Sequence, residues 1–454
     1  MAIEAPRYTS YPTAAELSPA YGRADVAEAL TSANGHPEEP LSIYVHLPFC
    51  REICWFCGCH ALVARTPERI DRYLVALDRE IDGVMSILTE RRDVAELHFG
   101  GGSPSLLSSA QFERVWSSLT QRLRLRPDTE ASVEVDPRTV DPERLATYRR
   151  AGIQRISMGF QDLDACVQAA IGRNQSAAVS LRAFEWARAA GFGGVNVDLC
   201  YGLPEQTEDS FERTVREVAT MRPDRLALFG YAHVPALKPL QRRIDARALP
   251  EAARRARLFA IGRDLLLEAG YRAVGIDHFA LPGDPLVRAL DGGRLQRNFQ
   301  GYTTSATDTL VGFGLSAISD FGHAVAQNHR GLRDYLAATN DATPATERGF
   351  RRSPDDRVRG EVIRQIMCTF AVDFAAVERS FDVAVNSYFA TELRELQRLA
   401  DDGLLSVESD RIVLTPLGAM LARNVAVVFD AYRRRKPLRP TDGSAATRRF
   451  STTV

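Results

Sequence analysis

Between about residues 41 and 271 the apolar positions follow two alternating rhythms. Short apolar-rich runs at 43–47, 95–99, 132–135, 155–158, 194–199 and 225–229 read as strands. Between them lie stripes with a spacing of three and four, which read as amphipathic helices. One stripe places Ile70, Leu74, Leu77, Ile81, Val84 and Leu88 on a single face, with Pro67 at its start. Another opens at Ser108 with Gln111 three residues later, a capping box, and carries Phe112, Val115, Trp116 and Leu119 inward. Six β/α units in succession predict a parallel sheet, because parallel neighbours need a crossover between them. The sheet is either open and doubly wound or a complete or partial barrel, and in both its reactive face lies at the C-terminal strand ends.

The flanks differ. Residues 1–40 form an arm whose Arg7-Tyr8-Thr9-Ser10-Tyr11-Pro12-Thr13 has a polar-aromatic mix with neither rhythm, as in a docked segment. After about residue 340 the pattern turns helical, through Val362, Ile363, Ile366 and Met367, then Leu393, Leu396 and Leu399. A hairpin follows at 404–407 and 411–414, turning at Glu408-Ser409-Asp410, and a last helix begins at Pro416. Helices followed by a two-stranded wing are winged-helix-like. The expected division is an arm at 1–40, a barrel with its extension at 41–335, and a mainly helical domain at 336–454.

Composition narrows the function. With 454 residues, 45% hydrophobic and 25% charged, the chain is neither a small disulfide scaffold nor disordered. A formal net charge of −1 advertises no polyanionic partner. No 18-residue apolar stretch occurs and the first ten residues are too polar for a signal peptide, so the expectation is a cytoplasmic chain without membrane insertion. Lys238 and Lys436 are the only lysines, which leaves few candidates for Schiff-base chemistry. Four of the seven cysteines, Cys50, Cys54, Cys57 and Cys59, fall within ten residues, while Cys166, Cys200 and Cys368 are scattered. In a reducing compartment such crowding indicates metal or redox chemistry.

The chemically unusual residues follow the strands. The cysteines come after the first, Gly100-Gly101-Gly102-Ser103-Pro104 after the second, and Glu134 and Asp136 end the third. Gln161 follows the fourth, Asp198 and Tyr201 end the fifth, and Tyr231-Ala232-His233 follows the sixth. Six segments converging on one rim predict one site. Cys50-x3-Cys54-x2-Cys57, flanked by Phe49, Trp55 and Phe56, suits three irons of a 4Fe-4S cube with the fourth iron open. Zinc completed by Cys59 or His60 is the alternative. The glycine turn is either a tight βα connection or, through exposed amides, a seat for a carboxylate or amine.

The cysteine spacing, with an aromatic before the third cysteine and a glycine turn one strand later, resembles the radical S-adenosylmethionine superfamily. That resemblance implies a partial (β/α)6 barrel with one 4Fe-4S cluster on Cys50, Cys54 and Cys57. A narrower likeness runs along the whole chain. The arm motif at 7–13, Tyr44-Val45-His46-Leu47-Pro48-Phe49-Cys50, Asn298-Phe299-Gln300-Gly301-Tyr302-Thr303-Thr304 and the terminal Phe450-Ser451 resemble the oxygen-independent coproporphyrinogen III oxidase (dehydrogenase) family. The family resemblance implies oxidative decarboxylation, without oxygen, of two propionates of coproporphyrinogen III to vinyl groups in heme synthesis. A 5′-deoxyadenosyl radical would be the hydrogen abstractor.

Carried over by motif, Tyr44, Gly101, Glu134 and Ile318 would meet a cluster-bound S-adenosylmethionine. Phe56, Gly102, Ser103, Gln161, Arg173, Asp198 and Ala232 would meet a second, giving two per chain. Cys59, Tyr44 and Glu134 would be catalytic, and Arg7, Tyr8 and Tyr11 would face the substrate propionates between arm and barrel mouth. The resemblance further implies a monomer served by an unidentified one-electron donor. Ser103 stands where many relatives carry Thr, Gly230 where some carry Asn, and Ala236-Leu237-Lys238-Pro239-Leu240 is atypical. A heme-chaperone paralogue shares the three cysteines and the glycine turn, but Cys59 and the arm distinguish this chain from it. The Arg433-Arg434-Arg435-Lys436 run reads as a solvated helix end rather than a nucleic-acid surface.

Overall fold

All six expected strands form and all are longer than the apolar runs, most of all the third, which begins at Arg124 rather than at 132. They are β1 (Leu41–Leu47), β2 (Asp93–Gly101), β3 (Arg124–Val135), β4 (Arg155–Gln161), β5 (Gly194–Tyr201) and β6 (Arg225–Gly230) in this computed structural model, which describes residues 3–305 and 307–435. Six further strands join the same sheet: β7 (Arg272–Val274), β8 (His278–Ala280), β9 (Leu310–Phe313), β10 (Ile318–Asp320), β11 (Ala324–Asn328) and β12 (Thr346–Arg351). The strand order is β12-β11-β10-β9-β1-β2-β3-β4-β5-β6-β8-β7. The run from β9 through β6 is parallel, and the strands added at either end are antiparallel. The fold is the expected α/β partial barrel with an extension, though the parallel partner of β1 on its far side, β9, has too short an apolar run to stand out in the sequence.

The strands owe their placement to two different faces. Ile43, Val45, Leu47, Leu97, Phe99, Val133, Ile156, Met158, Val195, Val197 and Leu199 are at most 1% exposed and pack outward into one apolar core. Each such burial contributes about 1.5–3 kcal/mol. The alternate positions, Tyr44, His98, Ser132, Glu134, Ser157, Asn196 and Asp198, are polar and share the opposite, inner face. Helix α2 (Pro67–Ile87), after a first helix described below, buries Ile70, Tyr73, Leu74, Leu77, Ile81 and Val84 against the sheet. Helix α3 (Ser109–Thr120) carries the expected capping box: Gln111 N donates to Ser108 Oγ and Ser108 N to Gln111 Oε1.

The flanks depart from expectation in three places. The arm contains a helix, α1 (Arg23–Ala33), which buries Val26, Ala29 and Leu30. Strand β12 pairs with β11 and so prolongs the barrel sheet past residue 335, and the C-terminal helical run begins only at Pro354. The wing has a third strand, Ala371–Asp373, which pairs with Arg411–Leu414 and leaves Leu405–Val407 on the other side.

The arm is fastened to the C-terminal domain. Tyr8 and Tyr11, each 5% exposed, belong to that domain's apolar core with Val362, Ile366, Phe389 and Phe429. Tyr8 Oη donates to Asp430 Oδ2 at 2.9 Å, and Ala431 N donates to Tyr11 Oη at 3.0 Å. Arg423 Nε donates to Pro6 O and Arg433 Nη2 to Glu4 O. Arg433 thus holds the arm, while Lys436 and Phe450-Ser451 lie outside the described residues. No helix among the described residues is long and apolar enough to cross a membrane.

Candidate active site

The C-terminal ends of β1 to β6 bring the expected rim residues together. After β1 the chain runs through Pro48 into a two-residue strand, Phe49–Cys50, and then the cysteine loop. Cys54 is buried, Cys50 and Cys57 half-buried, and Cys59 exposed. Cys54 receives two guanidiniums: Arg173 Nη1 donates to its Sγ at 3.3 Å and Arg138 Nη2 at 3.6 Å. Asp136 gathers both cations, 2.6 Å from Arg138 and 3.6 Å from Arg173. Burial raises the Cys50 thiol to about 12. The neighbouring Cys59, with Lys238 and Arg173 beyond it, holds the Cys57 thiol down to about 6 despite burial. Trp55 and Phe56 pack against Val167, Ile171, Tyr231 and Ile244, which shields the loop from one side.

The glycine turn is built for close approach rather than for flexibility alone. A Cβ on Gly100 would sit 2.9 Å from the Glu134 carboxylate, one on Gly101 2.7 Å from the His46 ring, and one on Gly102 2.6 Å from the Pro48 backbone. Gly101 also has φ +116°, which disfavours any side chain. Three amides of this turn are taken within the protein, as in a tight βα connection. Gly101 N donates to Glu134 Oε2, Gly102 N to Leu47 O and Ser103 N to Phe49 O. The Ser103 hydroxyl is 3% exposed and bonds Ser105 and Thr139, so the Ser-for-Thr difference falls on a buried group.

Two polar chains line the inner face. Tyr44 Oη lies 3.0 Å from His46 Nδ1, and His46 Nε2 lies 2.9 Å from the His60 carbonyl. A carbonyl only accepts, so His46 carries its proton on Nε2 and accepts a hydrogen bond from the Tyr44 hydroxyl at Nδ1. Burial holds His46 down to about 4, hence neutral. In the second chain His98 Nε2 is 3.2 Å from Glu134 Oε1, and His98 Nδ1 is 2.6 Å from Ser132 Oγ. Burial opposes the charged form of each, but His98 and the Gly101 amide outweigh it for Glu134, and Glu134 outweighs it for His98. Asp198 accepts from Asn196 and Ser157, yet burial first and the Glu134 charge second push it up to about 6. Burial and then the Glu134 charge also raise the Tyr44 hydroxyl, and Cys57, burial and then the Glu134 charge raise the Cys59 thiol.

The remaining expected residues fall nearby. Gln161 ends β4 with φ +70°, and its amide lies where a Cβ on Gly159 would come within 2.5 Å, so Gly159 lets Gln161 fold back across the strand end. Ile318 backs Gly312, the residue paired with Tyr44. Phe56 and Ala232 offer their carbonyls to one side chain, Gln241 Nε2, each at 3.1 Å. Gln241 is 1% exposed and also accepts from Val234 N, yet nothing in its sequence context marks it. His98, Ser132, Ser157 and Asn196 were equally unmarked, although the polar alternation Glu96/His98, Ser132/Glu134 and Asn196/Asp198 inside otherwise apolar strands signals a lined interior. From the arm, Arg7 reaches the rim, its Nη2 donating to Gly230 O at 2.6 Å. Tyr8 and Tyr11 pack into the C-terminal domain's apolar core, and with Arg297, Asn298 and Arg352 they also line a cavity.

These residues fit an iron-sulfur cluster. Two thiolates on a single zinc ion lie no farther apart than about 4.6 Å, twice the metal-sulfur distance. Among the described residues only His36, Glu38 and Glu39 gather three donor atoms within 4.8 Å, so the Cys50, Cys54 and Cys57 sulfurs are spread wider than one ion would hold them. N–H donors on Cys54 are the kind of second shell that cluster thiolates use.

The Radical SAM superfamily profile matches residues 44–218, which span β1 to β5 and the cysteine loop but not β6. The HemN C-terminal domain profile matches residues 353–421. The chain is 41% identical over 431 residues to the oxygen-independent coproporphyrinogen III oxidase of Escherichia coli, covering 95% of this chain and 93% of that one. With the Pseudomonas aeruginosa enzyme of the same name it shares 42% over 434 residues, at 95% and 94% coverage. The solved structure of coproporphyrinogen III oxidase (HemN) from Escherichia coli, described as a radical SAM enzyme, superposes with a TM-score of 0.90 at 40% identity over 94% of this chain and 97% of that one. The protein is thus a radical SAM enzyme in fold and site. It belongs to the oxygen-independent coproporphyrinogen III oxidase family.

Proposed function

We propose that the chain converts coproporphyrinogen III to protoporphyrinogen IX without oxygen, as a monomer in the cytoplasm. The observation that carries this reading is the cysteine loop at the C-terminal end of β1, in the sheet whose strands carry Tyr44, Glu134 and Asp198, in a chain alike to the named oxidases over nearly its whole length. Bound cluster and S-adenosylmethionine would supply one-electron reductive cleavage and a hydrogen-abstracting radical. Cys50, Cys54 and Cys57 hold the cluster. Arg173 and Arg138 fix the Cys54 sulfur, and Tyr44, Gly101, Glu134 and Ile318 border the first S-adenosylmethionine. Glu134, kept ionised by His98, suits an ammonium group. Phe56, Gly102, Ser103, Gln161, Arg173, Asp198 and Ala232 border a second, with Asp198 and Gln161 suited to hydroxyls. Two molecules per chain match two decarboxylations. Cys59, beside Cys57 and Tyr44, faces the reacting space, and we assign it to turnover rather than ligation.

The test is anaerobic turnover of coproporphyrinogen III with S-adenosylmethionine and a reductant, followed by mass detection of a product lacking two propionates and carrying two vinyl groups. Absence of that product from iron-loaded protein overturns the activity. Cys50→Ala, Cys54→Ala and Cys57→Ala each lose the iron, whereas Cys59→Ala keeps iron and loses product. Equilibrium dialysis gives two S-adenosylmethionines per chain, and a single equivalent overturns the second site.

A further inference from the structure

An exposed segment next to the cysteine loop has no part in the chemistry derived above. It runs from Leu237 to Arg243 and overlaps the atypical stretch Ala236-Leu237-Lys238-Pro239-Leu240. Leu237 is 56% and Leu240 39% exposed, and the other large exposed apolar residues, Val75, Tyr388 and Leu417, stand alone on separate elements. Lys238, Arg242 and Arg243 have no carboxylate within 4.0 Å among the described residues, and the nearby Asp245 is occupied by Arg247 at 2.8 Å. Two neighbouring leucines among three unpaired cations, in a chain of net charge −1, form a local surface of the kind that meets an acidic protein.

The segment is tied to the loop at three points. Lys238 Nζ donates to Cys59 O at 3.1 Å, Gln241 Nε2 to Phe56 O at 3.1 Å, and the Arg243 guanidinium lies 4.7 Å from the Trp55 ring centre. Its buried side, Gln241 and Ile244, faces the site, while the leucines and Arg242 face solvent. A reaction that consumes one electron per radical needs a donor that comes close to the cluster without entering the substrate space. We propose that residues 237–243 are the docking surface for an acidic one-electron carrier protein. The reduced carrier gives up one electron and becomes oxidised, and the oxidised cluster on Cys50, Cys54 and Cys57 takes it up, with no bond made or broken. The inference rests on the iron-sulfur reading above.

The experiment uses the full chain with its cluster reconstituted anaerobically, and an acidic flavodoxin as the probe. Binding is measured by calorimetry at low and high salt, and electron transfer as the rate at which the cluster absorbance bleaches with reduced flavodoxin or with dithionite. Leu237→Ser/Leu240→Ser/Arg242→Glu should weaken flavodoxin binding and slow flavodoxin-driven bleaching at least tenfold, with dithionite-driven bleaching unchanged. Wild-type binding should weaken as salt rises. Arg242→Glu alone, at a fully exposed position, should show the same trend to a smaller degree. Unchanged flavodoxin binding in the triple variant, or equal slowing with both reductants, overturns the proposal. A raised KM for coproporphyrinogen III under dithionite would make the segment a substrate mouth and overturn it as well. Wild-type protein that holds no iron would instead strike the cluster reading, which iron analysis establishes beforehand.

Discussion

Arg173 donates from Nη1 to Cys54 Sγ at 3.3 Å, joining residues 119 positions apart. The same guanidinium bonds Gly159 O at 2.8 Å and Gln175 Oε1 at 3.0 Å, so it locks the end of β4 to the cysteine loop. A cation and N–H donor on a cluster thiolate favour the more negative, reduced state. Arg173→Ala should therefore lower the reduction potential, on the order of 50 mV, since 59 mV is a tenfold change in a one-electron equilibrium. A redox titration followed by electron paramagnetic resonance checks this. A loss of S-adenosylmethionine binding with no change in potential would confine Arg173 to the second pocket.

Gly102 leaves 2.6 Å between its missing Cβ and the Pro48 backbone, which leads into Cys50. Gly102→Ala must push that backbone away. We expect a loss of about 1–3 kcal/mol of stability, typical of overpacking. Iron uptake should fall too, because the first ligand moves. Urea denaturation and iron analysis of the same preparation show whether both effects occur together.

The Tyr8 hydroxyl serves the C-terminal domain. Tyr8→Phe removes a donor from the buried Asp430 carboxylate, which then keeps only its bonds from Tyr432 N and Arg433 N. The expected loss is about 1.5–3 kcal/mol, the range for a hydrogen bond to a charged group. Iron content should stay at the wild-type level. An unchanged denaturation midpoint together with weakened substrate turnover would return Tyr8 to a substrate-facing role.

Glu80 is 1% exposed in α2 and accepts from Tyr335 Oη, Gly314 N and Asn328 Nδ2. Behind this knot Tyr73 Oη donates to His46 O, so it braces the end of β1. Burial raises Glu80 to about 7, against the pull of its three donors. A folded value above the unfolded one, about 4.3 for a glutamate, means that this group's stability is full at low pH and is lost as pH rises through 7. Glu80→Gln does not titrate. The stability of wild type relative to Glu80→Gln should therefore fall between about pH 4 and 8, by on the order of 3 kcal/mol. Denaturation of both proteins across that range tests the direction, and parallel curves would refute it.

Much of this protein is local in origin. The alternation of short apolar runs with 3.6-residue stripes, the Ser108–Gln111 capping box and Cys50-x3-Cys54-x2-Cys57 each lie within one element or loop, so periodicity and spacing predict the strands, the crossover helices and the rim. What only the tertiary structure decided depends on contacts between distant segments. The three consecutive glycines that lie against Glu134, His46 and Pro48 look in sequence like any flexible turn, and only the fold shows Leu47 O and Phe49 O taking the amides of Gly102 and Ser103. Thr346–Arg351 falls in the stretch expected to belong to the helical domain, because its strand state depends on pairing with Ala324–Asn328. Tyr8 and Tyr11 have the chemistry of ligand-facing residues, and an apolar core built mainly from the C-terminal domain takes up their rings. Residue type sets what a side chain can do, and the fold, by bringing partners that are far apart in the chain within bonding distance, sets what it does.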